Sequence, residues 1–175
     1  LHRRATVRSP RVSALSAVGV VAGQYLGVMP LWCNTKVFTD VPKDWSGLLK
    51  PEYQWSVGLF GDPLASNQAQ SAVWAAGLPA NNNNLDSVKE GLDFFKKLND
   101  AGNFVPVIAS TATVASGNTP IRLGWTYNGL ADKDSLKGNP PIEVVVPTSG
   151  RFGGMYVQAI SAFAPHPNAA QLWVG

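Results

Sequence analysis

The stretch from Trp55 to Gly77 is the feature that most constrains what this chain can fold into. It reads as a short buried strand, a polar turn over 61–67 and a helix with alanines at helical spacing. The first turn of a helix leaves backbone N–H groups unpaired and carries partial positive charge. At the end of a strand in an α/β sheet, such a turn is a common place for a small polar ligand. The stretch therefore predicts one wall of a ligand cleft.

The remaining chain alternates extended and helical segments, which predicts an α/β sheet with helices on its faces. Pro30 interrupts the first extended segment, which favours an edge strand or a segment that crosses between sheets. The predicted strands are 25–34, 55–61, 104–110, 120–130, 140–150 and 153–163. The predicted helices are 41–53, 67–77, 81–104 and a segment beginning at Pro167, with helical turns at 111–118 and 130–137.

The segment 81–104 gives the clearest helical signal. Ser87 and Glu90 fit a capping box, and Gly102 is the expected stop. Asp93 and Lys97 stand four residues apart and predict an ion pair on the exposed face. The predicted apolar face consists of Val88, Leu92, Phe95 and Leu98. We expect this helix to be scaffold.

Charge and residue content exclude several classes of function. Of the 14 basic residues, four lie in the first 11 positions, and the other 10 are balanced by 11 acidic residues. The body of the chain thus lacks the basic balance of a nucleic-acid-binding domain. Cys33 is the only cysteine, and the two histidines, His2 and His166, are far apart, so neither a disulfide nor a metal site is expected. No apolar run reaches the roughly 18 residues of a membrane-spanning helix.

Catalytic motifs are absent from the sequence. It contains no nucleophile elbow, P-loop, dinucleotide fingerprint or Cys–His pair at a telling spacing. We therefore predict no catalytic residues and no cofactor. An α/β hydrolase or transferase on a similar fold remains the alternative. A regulatory effector-binding domain is a third hypothesis, which would need an upstream helix-turn-helix that residues 1–23 do not supply.

Residues 1–23 differ from everything that follows. They are rich in arginine, then small and apolar, and they lack acids and aromatics. One interpretation is a signal peptide, with Arg3 and Arg4 in a basic region before an apolar stretch from Val12 to Ala22. There is no initiating Met and no clear cleavage site, so the other interpretation is an atypical leader foreign to the fold.

Three later segments together resemble the extracytoplasmic solute-binding proteins of ABC importers. These segments are GLDFFKKLNDAGNFVPV, IRLGWTYNGLADKD and YVQAISAFAPHPNAAQLW. The subgroup they resemble has two-lobed type II folds that bind iron, polyamines, thiamine or aminophosphonates, and its members are about twice as long. The resemblance implies a periplasmic-binding-protein-like fold of which this chain is a fragment. Residues 24–152 would form the second lobe, and 153–175 a truncated return crossing toward the first.

The resemblance also implies a mechanism without catalysis. Two lobes would close on a small solute outside the cytoplasm, in the periplasm or its equivalent, and the closed form would dock on an ABC permease in the membrane. Residues 27–34 and 146–158 would be the hinge crossings. The residues matched to solute contacts are Asp62, Ser66, Asn67 and Gln68 in the opening turn, Trp125, Tyr127 and Asn128 in a second segment, and Tyr156 at the return crossing.

The resemblance leaves the solute open among polyamines, thiamine, aminophosphonates and similar molecules. Relatives with amine ligands often carry an acid between the aromatic residues, as W-D-Y-N, whereas this chain has Thr126. Ring faces of Trp125 and Tyr127 could still hold a cation, each for ~0.5–2 kcal/mol. Arg122 and Arg151 are candidates for an anionic ligand such as a phosphonate, or else surface charges. Iron-binding relatives use adjacent tyrosines, which this chain lacks.

Five of the predicted contacts also have a purely structural alternative. Asp62 before Pro63 is a common turn former, and Ser66 and Asn67 are common helix caps. Trp125 and Tyr127 would share one face of the predicted strand, and that face could be the core. Both interpretations stay open at the level of the sequence.

Overall fold

A computed structural model describes residues 21–174 and divides the chain into two compact units. The larger unit is Gly27–Gly153, and the described residues of the smaller unit are 21–26 and 154–174. The signal-peptide and leader interpretations concern residues 1–23, of which 1–20 lie outside the described residues. Within residues 21–174, no helix is long and apolar enough to cross a membrane.

The larger unit is built on a mixed five-stranded sheet. Its strands are β2 (Leu31–Asn34), β3 (Val57–Leu59), β4 (Phe104–Ile108), β5 (Ile121–Leu123) and β6 (Ile142–Val145), in the spatial order β4-β3-β5-β2-β6. Strand β3 runs parallel to β4 and β5, whereas β2 runs antiparallel to β5 and β6. Because β2 lies inside the sheet, the break at Pro30 marks a crossing between sheets and not an edge strand.

Helices cover both faces of this sheet, as the sequence predicts. The helices of the larger unit are α1 (Asn67–Gly77), α2 (Val88–Asp100), α3 (Thr111–Ser116) and α4 (Thr126–Leu136). Short 3₁₀ turns span Trp45–Leu49, Pro51–Tyr53 and Leu78–Asn81, and the first two replace the helix predicted over 41–53. In the main core, α1, α2 and the first two 3₁₀ turns pack onto one face of the sheet through residues such as Leu31, Ile121 and Leu98. A smaller cluster on Trp32, Val114 and Ile142 holds α3 and α4 on the other.

Helices α1 and α2 approach each other through glycines. A Cβ added to Gly91 would lie 2.0 Å from the carbonyl oxygen of Val73, and one added to Gly77 would lie 2.0 Å from that of Ser87. Only glycine fits at both positions, because a side-chain carbon at this distance would overlap the facing backbone. The predicted apolar face of α2 is therefore partly wrong: the buried residues of the helix are Gly91 and Leu98.

Further details of α2 differ from the prediction. The hydroxyl of Ser87 donates to the carbonyl oxygen of Trp74 and makes no capping bond, so the capping box is wrong. Asp93 pairs at 2.7 Å with Lys89, four residues before it, whereas the expected partner was Lys97, four residues after it. Val88 and Leu92, predicted to be buried, are exposed.

The extended segment predicted over 120–130 is only partly a strand. Strand β5 ends at Leu123, and α4 begins at Thr126. The backbone N–H groups of Asn128 and Gly129 donate to the carbonyl oxygen of Trp125, which closes the first helical turn. Trp125 is thus a helix cap, and strand alternation does not govern the positions of 125 and 127.

The described part of the smaller unit contains a two-stranded sheet. It pairs β1 (Val21–Val28) with β7 (Gly153–Ala159). Tyr25 and Tyr156 stack within it, with ring centroids 4.7 Å apart. Helix α5 (Pro167–Val174) begins at the predicted proline. The assignment of 24–152 and 153–175 to a lobe and a return crossing stays a prediction.

Candidate functional site

Two strand-to-helix elbows lie side by side at one edge of the five-stranded sheet. The α1 elbow is 60–66, between β3 and α1, and the α4 elbow is 124–125, between β5 and α4. Strands β3 and β5 are parallel neighbours, with Leu59 opposite Leu123. Both helices therefore begin at the same sheet edge, where the partial positive charge of their N-termini can act on a ligand.

Local hydrogen bonds shape the α1 elbow. Gly61 adopts a φ of +115°, a conformation that favours glycine. The Asp62 carboxylate accepts the N–H of Leu64 at 2.8 Å. Ser66 caps α1, because its hydroxyl oxygen accepts the N–H of Ala69 at 3.3 Å. Asp62 is exposed and Ser66 is half-buried, so the turn-forming and capping roles expected of them are both present.

Gln68 connects the two elbows. The residue is 8% exposed, and its Nε2 is buried and has no hydrogen-bond partner among the described residues. The same nitrogen lies 2.6 Å from the point where a Cβ on Gly124 would stand. The amide thus reaches from the first turn of α1 to the α4 elbow, and glycine at 124 leaves the space for it. Asn67, the preceding residue, is exposed.

Aromatic rings follow the α4 elbow. Trp125 is buried in the core, and its ring stacks on Tyr127 at 6.4 Å with 17° between the planes. Tyr127 and Asn128 are half-buried. The hydroxyl oxygen of Thr126 accepts the N–H of Val28 at 3.2 Å, which ties the start of α4 to the end of β1. Core packing therefore describes Trp125, while Tyr127 and Asn128 keep exposed surface.

Arg122 has an environment that sequence reasoning missed. It is 1% exposed, its Nη2 pairs with the carboxylate of Asp132, and its guanidinium lies 3.8 Å from the centroid of Trp32. Phe60 covers it at 4.7 Å. The interpretation as a surface charge is wrong for Arg122. Arg151, in contrast, is exposed and donates through Nε to the carbonyl oxygen of Pro147.

Burial and pairing have opposite effects on the charge of Arg122. Burial lowers the pKa of Arg122 to about 10, although the neighbouring Asp132 carboxylate acts to raise it. The guanidinium is therefore charged at neutral pH. Its Nε and Nη1 have no hydrogen-bond partner in residues 21–174, and Asp132 also accepts the hydroxyl of Thr111 at 2.9 Å. The ten-residue separation of Arg122 and Asp132 fits no helical or strand spacing, so no sequence pattern marked this ion pair.

The predicted solute contacts fall into two sets. Seven of them lie at the start of α1 or of α4, in the larger unit, namely Asp62, Ser66, Asn67, Gln68, Trp125, Tyr127 and Asn128. Tyr156 belongs to the smaller unit, on β7. Among the described residues, no group of three or more His, Cys, Asp or Glu could hold a metal ion. Apart from the exposed carboxylate of Asp62, the groups gathered at the elbows are amides, hydroxyls and backbone N–H groups, which suit hydrogen bonding to a polar solute.

Comparison with known proteins gives one family and one fold. A family model described as "Bacterial extracellular solute-binding protein" matches residues 13–174. No curated protein matches the chain. The similar solved structures include periplasmic and ABC-transporter binding proteins, and at these identities they show the fold alone.

Three solved structures illustrate the similarity. The periplasmic binding protein AfuA from Actinobacillus pleuropneumoniae, with exogenous fructose-6-phosphate bound, has a TM-score of 0.65 at 23% identity, over 88% of this chain and 47% of its own. Iron-bound HitA from Pseudomonas aeruginosa has a TM-score of 0.65 at 20% sequence identity, and the match covers 95% of this chain and 55% of HitA. The spermidine/putrescine substrate-binding protein PotD from Streptococcus pneumoniae has a TM-score of 0.60 at 18% sequence identity, and the match covers 89% of this chain and 46% of PotD. The chain thus spans about half the length of these proteins.

Proposed function

Because this chain belongs to the bacterial extracellular solute-binding proteins, we propose that it forms one lobe of the solute-binding component of an ABC importer. The family is extracytoplasmic, and the matched proteins bind solutes and are not enzymes. In this proposal, the larger unit is the second lobe of a two-lobed protein. The intact protein captures a small polar solute and delivers it to a membrane permease.

The observation that carries the proposal is the meeting of two helix N-termini at one sheet edge. Strands β3 and β5 each lead into a helix there, and the buried amide of Gln68 extends from one elbow to the other. In open α/β sheets, ligands bind outside the carboxyl ends of the strands. A solute at this edge would meet Asn67, Gln68 and Asn128, with Tyr127 as a flat side wall.

The smaller unit supplies the proposed return path. Its boundaries with the larger unit fall at 26/27 and 153/154. The first boundary adjoins the segment 27–34, and the second lies within 146–158. We propose these two segments as the crossings about which the lobes close on the solute. Tyr156, which follows the second boundary, is proposed to contact the solute from the return crossing.

The proposed solutes are those that the family resemblance suggested, together with those of the similar structures. AfuA is described with fructose-6-phosphate bound, PotD as a spermidine/putrescine binding protein, and HitA as iron-bound. Polyamines, thiamine and aminophosphonates therefore stay in the panel, with a sugar phosphate added. The described residues provide no cluster of His, Cys, Asp or Glu that favours ferric ion.

Isothermal calorimetry on the intact gene product that contains this chain tests the proposal. The panel is spermidine, putrescine, thiamine, 2-aminoethylphosphonate, fructose-6-phosphate and ferric ion, each also followed for chemical change. We expect saturable binding of one class without turnover. Steady product formation from any of these solutes would contradict the proposed function.

A matched pair of variants tests the place of the α1 elbow in the site. Asn67→Ala removes an exposed amide at the start of α1 and is expected to weaken binding by about 10-fold, the effect of one lost hydrogen bond. Asn99→Ala removes another exposed amide, near the end of α2, and is expected to leave binding unchanged. Equal affinities for both variants would exclude the α1 elbow from the site.

A further inference from the structure

We propose that a cavity between α1, α2 and the 3₁₀ turn Trp45–Leu49 binds a small organic cation with a primary ammonium group, which pairs with the carboxylate of Glu90. This site is additional to the solute site at the elbows and does not depend on the proposed function. The cavity has a volume of about 200 Å³. Pockets for drug-sized ligands start at roughly 300 Å³, so the cavity suits a shorter molecule such as an alkylamine.

The cavity lies at the opposite end of α1 from the α1 elbow. Ala76 and Pro79 line it, whereas the elbow ends at Ser66, where α1 begins. The stretch of helix from Ser66 to Ala76 is about 15 Å long. A short amine in the cavity is therefore out of reach of the elbows, and the two sites are distinct.

Glu90 provides the first observation. The residue is half-buried and lines the cavity. Its Oε2 is shielded from solvent and accepts no hydrogen bond from residues 21–174. A shielded carboxylate oxygen without a donor is unfavourable, and native proteins rarely leave one. Because the charge of a carboxylate is shared by both oxygens, an ammonium in the cavity would compensate for this shielding with its own charge and its three N–H donors.

Two aromatic rings provide the second observation. Trp45 and Phe94 both line the cavity and meet edge to face, with ring centroids 6.0 Å apart and 88° between the planes. The Trp45 ring is buried, and its Nε1 donates to the carbonyl oxygen of Gly150 at 3.3 Å, which fixes its position. Small-molecule sites combine apolar walls with a few polar groups that set the orientation of the ligand. The two rings therefore suit the carbon chain of an amine whose charged end reaches Glu90.

The charges around the cavity favour a cation over an anion. Ala76 belongs to the last turn of α1, where the carbonyl end of the helix carries partial negative charge. Ser149 lines the cavity and donates its hydroxyl to the carboxylate of Asp44, so a second negative charge lies close by. Lys97 is the one basic residue among the described residues that line the cavity. It is exposed and stands two helical turns, about 10 Å, after Glu90, so its ammonium can remain in water.

An NMR titration of the intact gene product tests the proposal. n-Butylammonium chloride is added at constant ionic strength, and the indole N–H resonance of Trp45, assigned from a Trp45→Phe variant, is followed by ¹⁵N NMR. We expect a saturable shift with a dissociation constant of about 1–10 mM, and none with n-butanol, which has the same carbon chain without the charge. No saturable shift up to about 50 mM, or an equal response to n-butanol, would overturn the proposal.

A matched pair of variants provides the second test. Glu90→Gln keeps the size of the side chain and removes its charge, so it is expected to weaken n-butylammonium binding by about 10-fold or more. Glu52→Gln makes the same change at an exposed position of the 3₁₀ turn Pro51–Tyr53 and is expected to alter the dissociation constant less than about twofold. Unchanged affinity in Glu90→Gln would overturn the proposal. If Glu90→Gln does not fold, the comparison of n-butylammonium with n-butanol in the unaltered protein still decides the question.

The position of the shifts separates this site from the elbows. If n-butylammonium moved the side-chain amide resonance of Asn67 and left that of the Trp45 indole unmoved, the amine would be bound at the elbows. That result would overturn the cavity site while the solute-binding function stands. Turnover of a solute from the panel would contradict the proposed function and leave the cavity site unaffected.

Discussion

Replacing Asp132 with asparagine should strongly destabilise the larger unit, because it removes the carboxylate partner of a buried arginine. Arg122 is 1% exposed, and its guanidinium pairs with Asp132. Breaking a buried ion pair by removing one partner costs about 3–5 kcal/mol, because the other charge stays buried without compensation. The cation–π interaction between the guanidinium and the indole of Trp32 is worth up to about 2 kcal/mol. It is present in both the unaltered protein and the variant, so it does not replace the lost carboxylate. We therefore expect a loss of about 3 kcal/mol or more.

Urea denaturation followed by tryptophan fluorescence measures this loss in the intact gene product. Asp134→Asn is the matched control, since it makes the same change at an exposed position of α4 and should shift the free energy of unfolding by less than about 0.5 kcal/mol. A loss below about 1 kcal/mol for Asp132→Asn would refute the claim that Arg122 depends on this carboxylate.

The reciprocal change, Arg122→Met, should cost less. The side chain of Asp132 keeps 22% of its surface exposed and retains the hydroxyl of Thr111 as a donor, so the carboxylate left behind can still be hydrated. Met also fills much of the space between the rings of Trp32 and Phe60. We expect a loss of about 1–2 kcal/mol. If Arg122→Met proved more damaging than Asp132→Asn, the asymmetry in burial would not be the controlling factor.

Three further predictions concern the scaffold. Gly91→Ala places a methyl group against the carbonyl oxygen of Val73, which lies 2.0 Å from the ideal Cβ position. The methyl group should force α2 away from α1 at a cost of about 3 kcal/mol and lower the urea midpoint of unfolding. An unchanged midpoint would contradict this packing. Burial alone would raise the pKa of Asp44, but hydrogen bonds to its carboxylate, led by that of Ser149, outweigh burial and hold the pKa below its usual value. The ionised Asp44 therefore stabilises the folded protein above about pH 4, and this stabilisation is lost as the pH falls further. Asp44→Asn should therefore reduce stability by about 1 kcal/mol at neutral pH and lose that difference in acid, as pH-dependent unfolding would show. Cys33 is fully buried and its pKa is raised to about 12, so iodoacetamide should label it only in the unfolded chain, and rapid labelling of the native protein would contradict the burial.

The order of elements followed from local sequence signals. The apolar face of α1 at Ala69, Ala72, Val73 and Ala76 is buried, as its helical spacing predicts. Gly102 ends α2 with a φ of +75°, the conformation expected of a glycine stop. These features depend on residues within one or two turns of each other, so they can be read without knowing the tertiary contacts.

The junction between β5 and α4 did not follow from such signals. The residues from Trp125 to Leu130 have the aromatic content of a strand, and α4 has no strong apolar face to mark it as a helix. The carbonyl oxygen of Trp125 closes the helical turn by accepting two N–H groups of the residues that follow. Likewise, Val88 and Leu92 fit an apolar helical face, but α2 meets α1 at Gly91 and leaves both of them exposed.

Short-range patterns and the order of segments along the chain were sufficient to predict the α/β class and the polar turn before α1, and the resemblance of three segments to known solute-binding proteins predicted the family. The position of the Gln68 amide against the α4 elbow and the burial of Arg122 depend instead on tertiary packing. Arg122 owes its environment to Trp32 on β2, Phe60 after β3 and Asp132 on α4, which are far apart in sequence. Contacts of this kind exist only once the strands have paired, so no local pattern encodes them.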